Sequence, residues 1–194
     1  WSSDVCSSDL HNFQMYGVYT LPFGKGQRWA NQGFARQVIG NWQLNGIFQA
    51  QTGFPLTVTD SVLALNGFTN RPDMTCDPNE GAPHAVPDSA ATLASAKWFN
   101  TNCFARRAAA NTTGLSTQPR NAVRGPGFNR TDLSVFKNIA FSRGKQIQIR
   151  VEGFNIFNQE RFGNPVNNIG AANFGQLTSA DDGRIIEFGA KFTF

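Results

Sequence analysis

The sequence predicts an all-β fold whose antiparallel strands are long enough to cross a lipid bilayer. Apolar and polar residues alternate along several segments of about ten residues, and successive side chains of a strand point to opposite faces. A transmembrane strand needs about 9–11 residues. The chain has 194 residues, of which 15% are charged and 18 are Phe, a composition that argues against disorder. A soluble β-sandwich and a membrane β-barrel both fit these observations.

Composition also excludes some classes of function. The net charge of +4 is modest, and Lys and Arg are not concentrated on one stripe, so the sequence does not indicate a nucleic-acid-binding protein. No apolar run approaches 18 residues, which predicts that no transmembrane helix is present. Barrel strands would not produce such a run, because they alternate.

Residues 1–10 do not share the pattern of the remaining chain. They contain a tandem Ser-Ser-Asp and lack the basic start and apolar core of a signal peptide. They resemble the translation of a sequencing adapter. We interpret 1–10 as a non-native segment and 11–194 as the C-terminal portion of a longer barrel protein.

Alternation predicts five strands in residues 11–194. They run over about 12–21, 40–59, 130–141, 145–157 and 184–194. The last strand is the clearest, because its two sets separate completely into one apolar and one largely polar side. The apolar set is Ile186, Phe188, Ala190, Phe192 and Phe194, and the other is Glu187, Gly189, Lys191 and Thr193.

The lengths of the connections favour an up-and-down barrel over a sandwich. Residues of about 60–129 and 158–183 form two long loops, whereas 22–36 and 142–144 form shorter links. If the chain ends on the periplasmic side, both long loops lie outside the cell and both shorter links lie inside, which is the outer-membrane pattern. We therefore predict a five-strand segment of an incomplete transmembrane barrel with long extracellular loops.

The alternation also assigns a side to each strand residue. The residues predicted to face lipid are Trp42, Leu133, Val135, Ile147, Ile149, Phe188 and Phe192. Those predicted to face the lumen are Gln43, Gln148, Arg150, Glu152 and Lys191.

Several motifs in residues 12–194 resemble one family in collinear order. They are Leu21-Pro22-Phe23-Gly24-Lys25-Gly26, Gly40-Asn41-Trp42-Gln43-Leu44-Asn45-Gly46-Ile47, Gln51-Thr52-Gly53-Phe54-Pro55-Leu56-Thr57-Val58, Arg71-Pro72-Asp73, Trp98-Phe99-Asn100, Arg124-Gly125-Pro126-Gly127-Phe128, Asp132-Leu133-Ser134-Val135-Phe136-Lys137-Asn138, Arg150-Val151-Glu152-Gly153-Phe154-Asn155-Ile156-Phe157-Asn158 and Phe162-Gly163-Asn164-Pro165. Together they resemble the barrel of TonB-dependent outer-membrane receptors, in the Oar-like branch.

The resemblance implies a function in the bacterial outer membrane. In that family a plug and a TonB box precede a barrel of about 22 strands, so five strands correspond to its C-terminal part. The implied activity is energy-coupled uptake of a scarce ligand, either a metal chelate, a saccharide or a peptide. The implied partners are TonB through the upstream part, lipopolysaccharide and the barrel-assembly machinery, which reads terminal aromatics such as Phe188, Phe192 and Phe194. A secreted binding or adhesion sandwich and an outer-membrane protein with a structural or export role remain the alternatives.

Enzymatic and metal-dependent functions have little support in the sequence. The two histidines, His11 and His84, have no nucleophile or metal motif beside them, so we predict no catalytic, cofactor or metal site. Asp73 with Asp77, and Asp181 with Asp182, bring carboxylates close together as a Ca²⁺ site does, but solvated turns explain them better.

Cys76 and Cys103 lie in the same predicted external loop. Because the cell exterior is oxidising, we predict a disulfide between them, and two unpaired thiols are the alternative. The bond would close a loop of 27 residues and stabilise the folded state by roughly 3 kcal/mol.

The loop also offers aromatic and basic side chains as ligand contacts. Trp98 and Phe99 are candidates to stack on a sugar ring or, equally, to anchor the loop onto the barrel rim. Residues 106–145 contain a single acidic residue, Asp132, and eight basic ones. The basic residues are Arg106, Arg107, Arg120, Arg124, Arg130, Lys137, Arg143 and Lys145. The Arg residues of the loop could meet lipopolysaccharide phosphates or an anionic ligand, but ordinary solvated charge explains them better.

Overall fold

The computed structural model describes residues 9–24, 28–29, 33, 38–65, 68–84, 96–107, 116–142 and 144–194, excluding the side chains of 62–69 and Ser142. These residues divide into two units. The sheet unit comprises the described parts of 12–50, 129–160 and 182–194. The loop unit comprises the described parts of 1–11, 51–128 and 161–181.

The described residues contain eleven strands. In chain order they are β1 (Asn12–Thr20), β2 (Trp42–Gln51), β3 (Pro55–Leu56), β4 (Asp60–Leu65), β5 (Phe68–Asn70), β6 (Asp73–Met74), β7 (Phe104–Ala105), β8 (Val123–Arg124), β9 (Phe128–Ser142), β10 (Lys145–Phe154) and β11 (Ile185–Thr193).

Five long strands form one sheet in the order β1-β2-β9-β10-β11. β9 with β10 and β10 with β11 pair antiparallel. Backbone bonds from Leu21 N to Trp42 O (2.9 Å) and from Thr52 N to His11 O (3.0 Å) join opposite ends of the β1–β2 pair, which makes that pair antiparallel too. The predicted all-β antiparallel fold and the five predicted strands are therefore confirmed.

The registers show which side chains share a face. Ile147 lies opposite Phe192 and Ile139, and Val151 lies opposite Phe188 and Val135. On the other face Gln148 lies opposite Lys191 and Asn138. The apolar and polar sets that were assigned from the sequence thus occupy opposite sides of this sheet.

The predicted second strand, 40–59, is too long. β2 ends at Gln51, and Pro55 and Leu56 pair instead with Arg124 and Val123 in the loop unit. The break lies at Gly53, where a Cβ atom would come within 1.6 Å of the Gly125 carbonyl oxygen. Such a close approach of two backbones requires glycine, and Pro55 cannot donate to a ladder.

The fourth strand is shorter than predicted, because a turn begins directly after Phe154. Asn155 and Asn158 adopt φ values of 51° and 52°, which asparagine tolerates better than most residues. The Asn155 side chain donates to Gln159 O and accepts from Gln159 N, both at 2.8 Å. This turn ends β10 three residues before the predicted boundary at 157.

The connections of the sheet strands follow a regular plan. The links 21–41 and 143–144 lie at one end of the sheet, while 52–127 and 155–184 leave from the other end. Gly144, with φ +76°, lets the short β9–β10 link reverse the chain. Both long connections therefore start from the same end of the sheet, as predicted.

The loop unit has a core of its own, although its sequence shows no periodicity. Three two-stranded sheets, β3–β8, β4–β5 and β6–β7, and a 3₁₀ turn at Thr101–Cys103 supply its regular structure. Its buried apolar residues are Val58, Phe99, Cys103, Phe104, Val123, Phe174 and Leu177. The aromatic rings of Phe99, Phe104 and Phe174 meet edge to face with centroids 5.3–5.9 Å apart.

Candidate functional site

The apolar side of β11 ends in a row of exposed aromatic rings. Phe188 is 80% exposed and Phe194 91% exposed. Phe192 stacks on Phe141 of β9 at 5.9 Å and on Phe194 at 5.8 Å. The three residues named as an assembly signal therefore share one face of an edge strand; Phe192 and Phe194 lie at the end of the sheet where the β9–β10 link lies, and Phe188 lies further along the strand, opposite Val151. A contiguous aromatic face that is open to solvent is the kind of surface that a lipid or a protein partner covers.

The opposite face of β9, β10 and β11 is polar and internally paired. The Gln148 side chain donates to Asn138 Oδ1 at 3.0 Å. Arg150 Nε lies 3.2 Å from Glu152 Oε2. Such side chains are suited to a wet interior, because their hydrogen-bonding groups would be costly to place in lipid.

Lys137 is the exception on the apolar face. The registers place it opposite Ile149, yet its side chain is buried and does not project outward. Its Nζ donates to Val38 O at 3.0 Å and to Gly40 O, and lies 5.2 Å from the centre of the Trp42 ring. Backbone carbonyls and an aromatic face thus satisfy a cation on a side of the sheet that is otherwise apolar.

Two of the resemblance motifs build turns at the ends of the sheet. Asp132 Oδ1 accepts from Asn155 N at 2.7 Å and from Arg130 Nε at 2.9 Å. Asn158 Oδ1 accepts from Arg184 N at 2.9 Å. The motifs containing Asp132 and Asn155 therefore fix the ends of β9, β10 and β11, which gives them a structural role.

Cys76 and Cys103, the pair predicted from the sequence, form a disulfide in the structure with an S–S distance of 2.01 Å and a Cα–Cα distance of 4.9 Å. Thr75 N donates to Cys103 O at 2.9 Å beside it. The bond links the segment after β6 to the 3₁₀ turn and so ties two distant parts of the loop unit together.

The aromatic pair Trp98 and Phe99 is held within the loop unit. Phe99 is 1% exposed and belongs to the core. Trp98 is half-buried, and its Nε1 donates to Arg124 O at 2.8 Å. Phe99 is thus not available to a sugar ring, and it packs in the core of the loop unit; anchoring onto the barrel rim stays a prediction.

Several of the basic side chains of residues 106–145 form ion pairs or hydrogen bonds within their own unit. In the loop unit, Arg106 lies 3.2 Å from the buried carboxylate of Asp60. The buried Arg107 side chain lies 3.5 Å from the partly exposed carboxylate of Asp73. In the sheet unit, Arg130 and Lys137 have the contacts given above. Arg143 lies outside the described residues. Arg106 and Arg107 thus form ion pairs within the loop unit, a role that neither the lipopolysaccharide interpretation nor the solvated-charge interpretation had predicted.

A small pocket opens on the loop unit where three resemblance motifs meet. Its volume is about 170 Å³. Each of the three motifs contributes to its lining, and the charged residues Arg161 and Asp181 lie beside them. The lining residues are Gln51, Phe54, Pro126, Phe128, Arg161, Phe162, Gly163, Asn164 and Asp181. The Arg161 guanidinium lies 4.0 Å from the centre of the Phe128 ring and pairs with Asp181 at 3.2 Å.

Glycines allow the three segments to come this close. A Cβ on Gly125 would lie 2.8 Å from Asn164 Oδ1, and one on Gly127 would lie 2.8 Å from Gln51 O. Sequence reasoning did not find this pocket, since its parts are separated by up to about a hundred residues. The signal that could have found it is the recurrence of Gly beside Phe in Gly53-Phe54, Gly127-Phe128 and Phe162-Gly163.

The remaining sequence candidates do not assemble into a site. His11 donates through its backbone N to Thr52 Oγ1, and the His84 ring meets Trp98 edge to face at 4.8 Å. Asp77 Oδ1 accepts from Asn79 in a local turn. Within the described ranges, no group of three or more His, Cys, Asp or Glu side chains is arranged to hold a metal ion. None of the helices in this part of the chain is long and apolar enough to span a bilayer.

Comparison with protein families identifies the fold. The model of a family described as an outer membrane beta barrel domain matches residues 5–187, most of the chain. Comparison with curated proteins and with solved structures gave no match. The matched range begins inside the segment 1–10, whose interpretation as non-native stays a prediction. The match confirms the predicted barrel class and the outer-membrane location, and it does not agree with a secreted sandwich. The chain belongs to the outer membrane beta barrel domain family.

Proposed function

We propose that this chain is the C-terminal barrel part of a TonB-dependent receptor of the Oar-like branch, which takes up a scarce ligand across the outer membrane. The observation that carries the proposal is the collinear run of receptor-like motifs from Leu21 to Pro165. The barrel family of the chain is consistent with it.

Two features of the structure support the proposal. The sheet unit has an apolar face for lipid and a polar face for a lumen filled by a plug. The loop unit is a folded body with a core, a disulfide and a pocket, which suits ligand capture better than an aperiodic loop does.

The proposal includes the partners that such a receptor needs. TonB would engage the part of the protein that precedes this chain. The barrel-assembly machinery would read Phe188, Phe192 and Phe194, and lipopolysaccharide would surround the outer rim. We assign the chain no enzymatic step, no cofactor and no contact with nucleic acid.

An outer-membrane protein with a structural or export role is the second candidate. It shares the same barrel, so residues 12–194 do not separate it from a transporter. A plug and a TonB box are required only for energy-coupled uptake, so the upstream sequence discriminates the two.

The test begins with the open reading frame that precedes residue 11. The receptor proposal expects a plug domain, a TonB box and further barrel strands there. The full-length protein should then bind the purified periplasmic domain of TonB in a pull-down, and deletion of the box should abolish the binding. A full-length protein without a plug, or one that does not bind TonB, would support the structural or export role.

A further inference from the structure

Three motifs that are far apart in the sequence meet at one pocket of the loop unit. Phe54 follows β2, Phe128 begins β9, and Asn164 lies in the connection after β10. Gly125 N donates to Phe54 O at 2.8 Å, and Gly163 N donates to Ser179 O at 2.9 Å. These backbone bonds hold the pocket walls in place, so the pocket is pre-formed.

The pocket combines flat apolar faces with groups that both donate and accept hydrogen bonds. The Phe54 ring is 44% exposed although it borders a folded unit. Gln51 and Asn164 carry amides, which donate and accept, and Asp181 carries a carboxylate, which only accepts.

The charge of the pocket is balanced internally. Arg161 and Asp181 are its charged residues, and they pair with each other at 3.2 Å. The Phe128 ring beneath Arg161 holds the guanidinium in one orientation. Because the pair is neutral overall, the pocket does not favour a ligand with a large net charge.

The size of the pocket limits the ligand to a single small ring. A volume of about 170 Å³ lies below the range of about 300–1,000 Å³ that is usual for pockets of drug-sized ligands. A six-membered sugar ring has this size, has apolar C–H faces for the phenylalanine ring, and has hydroxyl groups that pair with amides and carboxylates.

We propose that this pocket binds one ring of a neutral saccharide, with Phe54 beneath the ring and Asp181, Asn164 and Gln51 around its hydroxyl groups. A ferric chelate surrounds its metal with several donor groups and is larger than one sugar ring, so it would need a wider site. A peptide would need an extended groove or an open strand edge to pair with its backbone. The inference rests on the proposed receptor function and narrows its ligand from three classes to one.

The test uses the full-length receptor purified in detergent. It is screened against an array of neutral mono- to tetrasaccharides of hexoses, pentoses and N-acetylhexosamines. Sodium phosphate, ferric citrate and trialanine serve as anion, chelate and peptide probes. Calorimetry then gives a Kd for each probe that binds. We expect binding to a neutral saccharide and not to the other three probes.

Substitutions of the pocket residues test whether the saccharide binds in this pocket. Phe54→Ala and Asp181→Asn should each weaken saccharide binding about tenfold, because each removes one contact from a small ligand. Phe54→Leu, which keeps apolar bulk without a flat ring, should weaken it as well. The matched controls Phe157→Ala, an exposed Phe of the sheet unit, and Asp182→Asn, beside the pocket, should change the Kd by less than about twofold.

Two results would overturn the saccharide inference. One is the absence of saccharide binding, or saccharide binding that the pocket variants leave unchanged. The other is binding of phosphate, ferric citrate or trialanine that the pocket variants abolish. Binding to the TonB periplasmic domain is measured on the same preparation. If it persists while no saccharide binds, the ligand class is wrong and the receptor function stands; if it is also absent, the receptor function fails.

Discussion

At the scale of single residues, Lys137 shows how a lipid-facing strand accommodates a cation. The residue lies on the apolar face, but its ammonium group turns to the carbonyl oxygens of Val38 and Gly40 and to the Trp42 ring. Alternation alone would have predicted an apolar residue here. The acceptors come from the β1–β2 link, about a hundred residues away in sequence, so no local pattern could have shown them.

We predict that Lys137→Met destabilises the folded protein by about 1–3 kcal/mol, because two carbonyl groups lose their charged donor. Lys191→Met, an exposed lysine of the polar face, is the control and should cost less than about 0.5 kcal/mol. Urea unfolding of the full-length protein in lipid measures both. Equal costs would mean that the contacts of Lys137 do not stabilise the fold.

The assignment of one face to lipid and the other to the lumen can be tested at two positions of β10, one on each face. Val151 lies opposite Val135 and Phe188 on the apolar face, whereas Ile149 lies opposite Lys137, where an added charge would also meet a like charge. We predict that Val151→Arg destabilises the barrel by about 2–4 kcal/mol if it lies near the bilayer midplane. Gln148→Arg on the polar face should be far milder in the same unfolding assay. A larger cost at Gln148 would reverse the assigned sides.

At the scale of elements, the long strands were predictable and the loop unit was not. β1, β9, β10 and β11 are defined by a two-residue alternation that each strand carries within itself. The end of β2 depends on the contact of Gly53 with Gly125, which is 72 residues away. The loop core depends on similar long-range pairs, such as Thr59 N with Asn167 O at 2.8 Å. Its fold therefore left no periodic signal in the sequence.

The contribution of the disulfide to the stability of the loop unit can be tested by mutation. Replacing both Cys76 and Cys103 with Ala should destabilise the loop unit by about 3 kcal/mol, since the bond closes 27 residues. Limited proteolysis should then cut within 60–129 much faster, while the heat-dependent mobility shift of the barrel on gels stays unchanged. Two free thiols found at these positions by non-reducing mass spectrometry of the wild-type protein would remove the basis of this prediction.

The last strand should decide how efficiently the protein is assembled. Phe192 stacks between Phe141 and Phe194 on an exposed face, so deleting Phe194 removes one of these ring contacts. Changing the exposed Phe188 to Asp places a charge on the same apolar face. We expect the amount of folded protein in the outer membrane to fall several-fold. Thr193→Ser, on the opposite face of the same strand, is the control. Fractionation followed by gel mobility measures the folded fraction, and unchanged levels for both Phe variants would exclude an assembly role.

At the scale of the whole molecule, the connections and the two-sided sheet lead to one picture. A sheet that is apolar on one side and polar on the other can separate lipid from a wet lumen. The two long connections, 52–127 and 155–184, leave from one end of the sheet, and the two shorter links, 21–41 and 143–144, leave from the other. Outer-membrane barrels place long connections outside the cell, so this arrangement predicts the orientation of every strand.

The most direct test of this picture is labelling of single cysteines on intact cells with a membrane-impermeant maleimide. The full-length protein carries Glu80→Cys or Asp182→Cys in the two long connections, or Lys145→Cys beside the short β9–β10 link. Cys76 and Cys103 stay joined in their disulfide and therefore do not react with the maleimide. We predict that positions 80 and 182 react on intact cells, whereas position 145 reacts only after the outer membrane is permeabilised. Reaction at position 145 on intact cells, or protection of either position 80 or 182, would contradict the account.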